Sequence, residues 1–319
     1  MNRHFLAAPL MAISSAASAQ SSWITVGEDA LVQLRQEGHR VTIRANRAAQ
    51  PGGQGPSENI YLLEVIPRDL PQIAATLHRK LRHCGGFMYH ASKAEALRRL
   101  DASPPAQEAT RPAYLITNQA TLAPMLAQMD EACFAQTIIK LSSFVNRYYS
   151  SVHGIEASNW LRDTWQEMRR TIKLIGYAAE KVGLRGSQDI ARDFRKNKVN
   201  VVGVLQLDMT NYKGSARDIY LISDFTDPLQ NQFLGKLVAA YLPDVTVGAD
   251  RCGYACSDHA AWHGEGFATS MPFEAALGQD NPTIHSKNDT YANSGNQAAH
   301  ALKFTRLAAA FAVELGSEP

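Results

Sequence analysis

From Thr171 to Pro319 short apolar runs alternate with helical ones, and this alternation restricts the fold more than any other feature. "TIKLIGYA", "NVVGVLQLDM", "DIYLISD" and "FATSMPF" read as strands. Ser187 is expected to cap a helix through about Asn197. "PLQNQFLGKLVAAYL" reads as a second helix, and "NQAAHALKFTRLAAAFAVELG" as a long last one ending at Gly316. Before them, "EASNWLRDTWQEMRR" sets Trp160, Leu161, Trp165 and Met168 on one helical face. Apolar strands separated by helices bury both faces of a sheet, so the pattern predicts an α/β fold around a mostly parallel sheet. Ligands gather beyond the carboxyl ends of such strands, where Glu180, Asp208 and the residues after Phe273 fall.

Residues 20–132 read as a separate small α/β unit, and 133–319 as the unit that carries the chemistry. "SENIYLLEVIP" contains a strand ended by Pro67. "DLPQIAATLHRKL" is a helix with Asp69 as N-cap and Pro71 in its first turn, stopped at Cys84-Gly85-Gly86. "AAQPGGQGPS" is a loop by composition. His78, His83 and His90 lie on or just after that helix without an evident carboxylate partner, and read as surface histidines rather than a metal site.

The amino-terminal residues have the three parts of an export signal: a basic start (Met1 to His4), an apolar run (Phe5 to Ile13) and the small-residue site Ala17-Ser18-Ala19. Residues 1–19 are therefore expected to be a signal peptide and the protein to be secreted. That run is too short to span a bilayer, and no later stretch is long enough. A formal charge of +2 over 319 residues argues against nucleic-acid or acidic-lipid partners. Cys252 and Cys256 read as a disulfide, with a metal pair as the other reading; C-x3-C lacks a second ligand pair nearby, which favours the disulfide. Cys84 and Cys133 are left to pair or not.

The segments "SSFVNRYYSS", "EASNWLRDTWQ", "YAAEKVGLRGSQD", "LQLDMTNYKGSARD", "CGYACSDHAAWH", "MPFE" and "NPTIHSKNDT" resemble the secreted bacterial leucyl aminopeptidases, which are co-catalytic zinc exopeptidases. They span nearly all of Leu141 to Pro319, and "SSWITVGEDA" with "HCGGFM" looks like that family's prodomain. The resemblance implies a three-layer α/β/α sandwich around two zinc ions, preceded by a small α/β prodomain. It implies a monomer acting on peptides with apolar, leucine-like N-termini. It puts Glu180 at the general base, Asp208 and His285 at metal-ligand positions, and Cys252 and Cys256 at the family disulfide. Met209, Tyr254, Met271, Phe273 and Ile284 match positions lining the pocket for the substrate's first side chain.

Two departures stand out. Lys181 occupies the position of the second glutamate of the family's pair, which is a zinc ligand. A block that carries the first histidine and the bridging aspartate is absent near 169–171, so the sheet is expected to be shortened. Two functions follow: a zinc-dependent aminopeptidase with a depleted ligand set, or a peptide-binding relative that does not cleave.

Overall fold

The computed structural model describes residues 21–48, 59–81, 86–101, 111–165 and 172–317. The expected signal peptide, Cys84, His83 and the junction near 169–171 lie outside them. The chain runs β1 (Ser22–Gly27), α1 (Glu28–Gln36), β2 (Thr42–Arg47), β3 (Ile60–Val65), α2 (Leu70–Leu81), β4 (Met88–His90), α3 (Lys93–Asp101), α4 (Gln119–Ala127), α5 (Glu131–Ser142) and α6 (Val152–Trp165). It continues as α7 (Arg185–Lys196), β5 (Val204–Leu205), β6 (Ile219–Ile222), α8 (Pro228–Tyr241), β7 (Val247–Asp250), α9 (His259–Gly264), β8 (Thr269–Ser270), β9 (Pro272–Phe273) and α10 (Ala299–Ser317). No helix among the described residues is long and apolar enough to cross a membrane.

The first four strands form an antiparallel sheet in the order β2-β3-β1-β4. Its two faces read directly from the two-residue period of a strand. Ile24, Val26, Leu63 and Val65 pack on α1 and α2 through Leu31, Leu34, Ile73 and Leu77. On the other face Ile60, Leu62 and Met88 meet α3 and then Leu184, Tyr254, Ala255 and Ala260 from the carboxyl-terminal half. The sheet is thus roofed on its second face by the loops that carry the expected site. A second core joins α4, α8, α10 and β6 through Leu122, Leu126, Phe233, Leu237, Phe304 and Leu307. Helix α4 lies before residue 132, yet its apolar side chains belong to this core.

Mixed α/β architecture is observed, but the single sheet expected for the carboxyl-terminal half is not. The strands divide into a parallel pair β5-β8 and a three-stranded set β7-β6-β9, in which β6 pairs parallel with β7 and antiparallel with β9. "FATSMPF" is two strands, because Gln206 donates to the carbonyl of Ser270 while Ile222 donates to that of Met271. "NVVGVLQLDM" keeps only Val204 and Leu205 in a ladder. The described part of "TIKLIGYA" forms no strand: from Ile172 to Tyr177 no regular structure is present, and Ile172 and Leu174 are exposed. A strand requires a neighbour for its N–H and C=O groups, and apolar content alone does not supply one. Exposed Val145, Val152 and Ile155 on and before α6 continue this apolar surface.

Two caps also differ from expectation. Asp69 lies in a 3-10 turn, Pro67–Asp69, that leads into α2. Helix α7 starts at Arg185 after Leu184, and Ser187 sits inside its first turn, donating to the Leu184 carbonyl at 3.0 Å. The hydroxyl bonds back onto the preceding turn instead of accepting from the N–H groups ahead. Cys133 is free and exposed.

Candidate functional site

The chain reverses sharply around Glu180. A 3-10 turn, Glu180–Val182, lies between Ala179 (φ 58°) and Gly183 (φ 98°), and Leu184 follows at φ 58°. Left-handed backbone at a residue with a Cβ costs roughly 1–2 kcal/mol, so two such residues in one turn need outside support. The amino-terminal sheet supplies it: Tyr89 N–H donates to the Gly183 carbonyl at 3.2 Å, and Gln188 Nε2 donates to the same oxygen at 2.8 Å. The Arg185 guanidinium stacks 3.8 Å above the Tyr89 ring. Where the two ends of the turn cross, a Cβ on Gly186 would stand 2.3 Å from the Ala178 carbonyl oxygen.

On this turn the Lys181 ammonium lies 3.2 Å from Glu180 Oε2 and 2.5 Å from His285 Nε2. His285 is held at φ 61°, and its ring packs against His78 of α2 with centroids 4.6 Å apart. Loss of water around the ring, then Lys181, then His78 push the His285 imidazole down to about 3. An ammonium can only donate, so Nε2 accepts a hydrogen from it. His78, read from the sequence as a surface residue, is part of this stack.

Asp208 follows β5 and accepts from Ser257 Oγ at 2.8 Å. The next side chain along, Asp258, is buried directly before α9. Burial pushes its carboxyl well above the ordinary carboxylate range, and the Glu180 and Asp208 charges push it further; Ser187 and Lys181 pull the other way. Glu180, Asp208 and Lys181 thus each act electrostatically on Asp258. Asp258 was not singled out in the sequence, although "CSDH" places it beside a cysteine and a histidine at a loop-to-helix step.

The disulfide Cys252–Cys256 is formed, with an S–S distance of 2.03 Å. Its loop is tied down by Asp224, whose Oδ2 accepts from the N–H groups of Cys252 (2.8 Å) and Gly253 (3.1 Å). Met271, Phe273, Ile222 and the disulfide form one apolar cluster, with Met209 and Leu277 at its edge. Of the five expected pocket residues, the structure therefore gathers Met209, Met271 and Phe273. Tyr254 turns toward the amino-terminal sheet, where its hydroxyl meets Thr25 Oγ1 and its ring packs beside Leu62 and Met88. Ile284 is half-buried in the turn before His285, outside that cluster. A cleft of about 310 Å³ opens between Leu81 and Asp29 on one side and Arg251, Cys252 and Leu277 on the other.

The donor set does not complete a two-ion cage. Among the described residues one group of three His, Cys, Asp or Glu ligand atoms lies within 4.8 Å of one another, and it consists of Cys252, Cys256 and His259. Its two sulfurs are already bonded to each other. Asp208 and His285 belong to no such group with Glu180 or Asp258, and the ligand nitrogen of His285 is engaged by an ammonium. Zinc sites need three or four donors converging at about 2.0–2.3 Å.

The model of the family described as Peptidase family M28 matches residues 149–310, which is half of the chain and holds every site residue expected from the sequence. The chain belongs to peptidase family M28. This M28 chain is 37% identical over 166 residues to a protein of Arthroderma benhamiae named probable leucine aminopeptidase, covering 51% of this chain and 41% of that one. It is 35% identical over 153 residues to leucine aminopeptidase 1 of Coccidioides posadasii, covering 46% and 38%. The M28 chain thus spans about two-fifths of the length of these relatives. In three dimensions it is similar to the LapA aminopeptidase of Legionella pneumophila, with a TM-score of 0.74 at 20% identity over 95% of this chain and 100% of that one. LapB of the same organism superposes with a TM-score of 0.73 at 26% identity, over 94% and 100%. The amino-terminal sheet therefore lies inside the shared fold.

Proposed function

We propose that this M28 chain is an aminopeptidase: it takes a peptide by its free amino end and hydrolyses the first peptide bond, favouring a leucine-like first residue. The observation that carries this reading is the adjacency of an anionic group to an apolar pocket. Asp208 and Met209 are consecutive, and Met209 packs at the edge of the Met271 and Phe273 cluster. A peptide's terminal ammonium is drawn to Asp208 and Glu180, while its first side chain buries against Met209, Met271 and Phe273. Burying a leucine side chain contributes about 1.5–3 kcal/mol, enough to prefer it over a polar residue.

Glu180 is the proton carrier. Its carboxylate takes a proton from the attacking water and returns it to the departing amine. The strained turn fixes the backbone that carries this carboxylate, and the Lys181 ammonium lies 3.2 Å from its Oε2. The resemblance calls for two zinc ions; because the described donors do not complete such a cage, no step is routed through a metal here. Export by residues 1–19, a prodomain within 20–132, a monomeric state and a lost block near 169–171 belong to the same proposal. The exposed apolar side chains of Val145, Val152, Ile155, Ile172 and Leu174 support that loss.

The test is hydrolysis of leucyl and lysyl chromogenic amides by the full chain, with zinc and with a chelator. Leucyl amide is expected to be cleaved in preference, and Glu180→Gln to reduce kcat by about 100-fold or more. Wild-type protein that leaves leucyl amide intact under every metal condition sinks the reading.

A further inference from the structure

We propose that the Lys181 ammonium is the resident cation of this site, seated on Nε2 of His285 and the carboxylate of Glu180 where a divalent ion would sit, so that the wild-type chain carries no metal on His285. This rests on the assignment of Glu180 and His285 to the functional site made above.

The geometry is that of a coordination position already filled. Nζ is 2.5 Å from His285 Nε2 and 3.2 Å from Glu180 Oε2. A neutral imidazole nitrogen has one lone pair in the ring plane, and it either accepts a hydrogen or binds a metal. The ammonium is a compact charge with three donors, so it can serve a nitrogen and a carboxylate oxygen together. The Lys181 side chain remains 39% exposed, and what the fold fixes is the backbone that carries it. The backbone on both sides of Lys181 is locked by the left-handed residues Ala179, Gly183 and Leu184, and Gly183 is held by Tyr89 and Gln188. His285 cannot readily turn its ring away either, because His78 lies against it. Asp208, the other matched ligand position, is 2.8 Å from the Ser257 hydroxyl. A divalent ion entering here meets a positive charge and a nitrogen that already accepts from it.

The experiment is zinc uptake by the full chain with its disulfide intact. Equilibrium dialysis at about 10 μM free zinc is combined with metal analysis and with the ring-nitrogen NMR signals of His285. Wild-type protein is expected to hold less than about 0.1 equivalent, with the Nε2 signal unmoved by zinc. Lys181→Glu removes the cation and adds a donor; it is expected to gain about one equivalent, lost again when His285→Ala is added. Lys181→Met uncovers Nε2 without adding a donor, and zinc is expected to move its signal too. Circular dichroism verifies the fold of each variant. A zinc-dependent shift of His285 Nε2 in the wild type overturns the proposal, and so does its absence in both folded Lys181 variants. Hydrolysis is scored apart: a chain that leaves leucyl amide intact while His285 stays metal-free sinks the peptidase reading alone.

Discussion

Gly183 is where the expected catalytic turn touches the amino-terminal sheet, and replacing it with alanine tests whether that contact holds the turn in place. Gly183 has φ 98°, a region that a side chain opposes by about 1–2 kcal/mol. The new Cβ would stand 2.8 Å from a ring carbon of Phe87, from Tyr89 Cβ and from the Tyr89 backbone nitrogen. Two of those three atoms are backbone or Cβ, so no rotamer change clears them. Overpacking of this kind adds about 1–3 kcal/mol. The total is roughly 2–5 kcal/mol, and relief requires the sheet to move off the Glu180 turn, which breaks the hydrogen bond from Tyr89 N–H. Gly235, within α8, is the control: nothing lies within 4 Å of a Cβ built there. Alanine at Gly235 is expected to stabilise by about 0.5–1 kcal/mol through helix propensity. Urea unfolding of the two variants in the full chain reads both numbers. A Gly183→Ala midpoint equal to the wild type, or a shift in the same direction as Gly235→Ala, refutes the argument that this contact clamps the turn.

Buried Glu274 is pushed up to about 7 by loss of water, although the N–H groups of Tyr212, Asn281 and Asn211 pull it back. The folded state therefore keeps a proton that the unfolded chain releases near pH 4.5, so the contribution of Glu274 to stability falls as pH rises from about 4.5 to about 7 and then levels off, while buried His90, His259 and His263, pushed down by loss of water, contribute in the opposite direction. Urea midpoints of wild type and Glu274→Gln across that range isolate it: the wild type is expected to lose stability relative to the variant as pH rises, and a difference that grows the other way contradicts the sign. The Trp262 indole N–H donates to the Tyr177 hydroxyl at 2.8 Å, so Tyr177→Phe leaves a buried donor without its partner. A loss of about 1–3 kcal/mol in thermal or urea unfolding is expected, and no change would mean water replaces the hydroxyl. Phe304 is fully buried between α8 and α10, and Phe304→Ala should cost about 3–5 kcal/mol by the same assay.

Much of the chain was legible from local pattern. The strand ending before Pro67, the helix from Leu70, the strand at Ile219–Ile222, helix α8 and the long last helix all carry their signals within a few residues of themselves. The Cys252–Cys256 bridge was legible for the same reason, since its partners are four residues apart. What failed were elements whose existence depends on a distant neighbour. "TIKLIGYA" has the apolar content of a strand but no pairing partner among the described residues, and "NVVGVLQLDM" shrinks to the two residues that meet Thr269 and Ser270. Ser187 has the chemistry of an N-cap, yet the cap position is set by where the Glu180 turn ends, three residues earlier.

The sequence alone determined residue chemistry and order: a carboxylate and an ammonium side by side at Glu180-Lys181, an aspartate followed by Met209, and a histidine near the end of an Asn-Pro turn. Those are properties of neighbouring letters and need no fold to be read. Only the tertiary structure decided which of them meet. It brought Lys181 across 104 positions to His285, set His78 of the first half against that ring, buried Asp258 beside Glu180 and Asp208, and turned Tyr254 away to Thr25. The physical reason is that such contacts are fixed by packing between separate cores and by left-handed turns under outside support, and neither leaves a periodic trace along the chain.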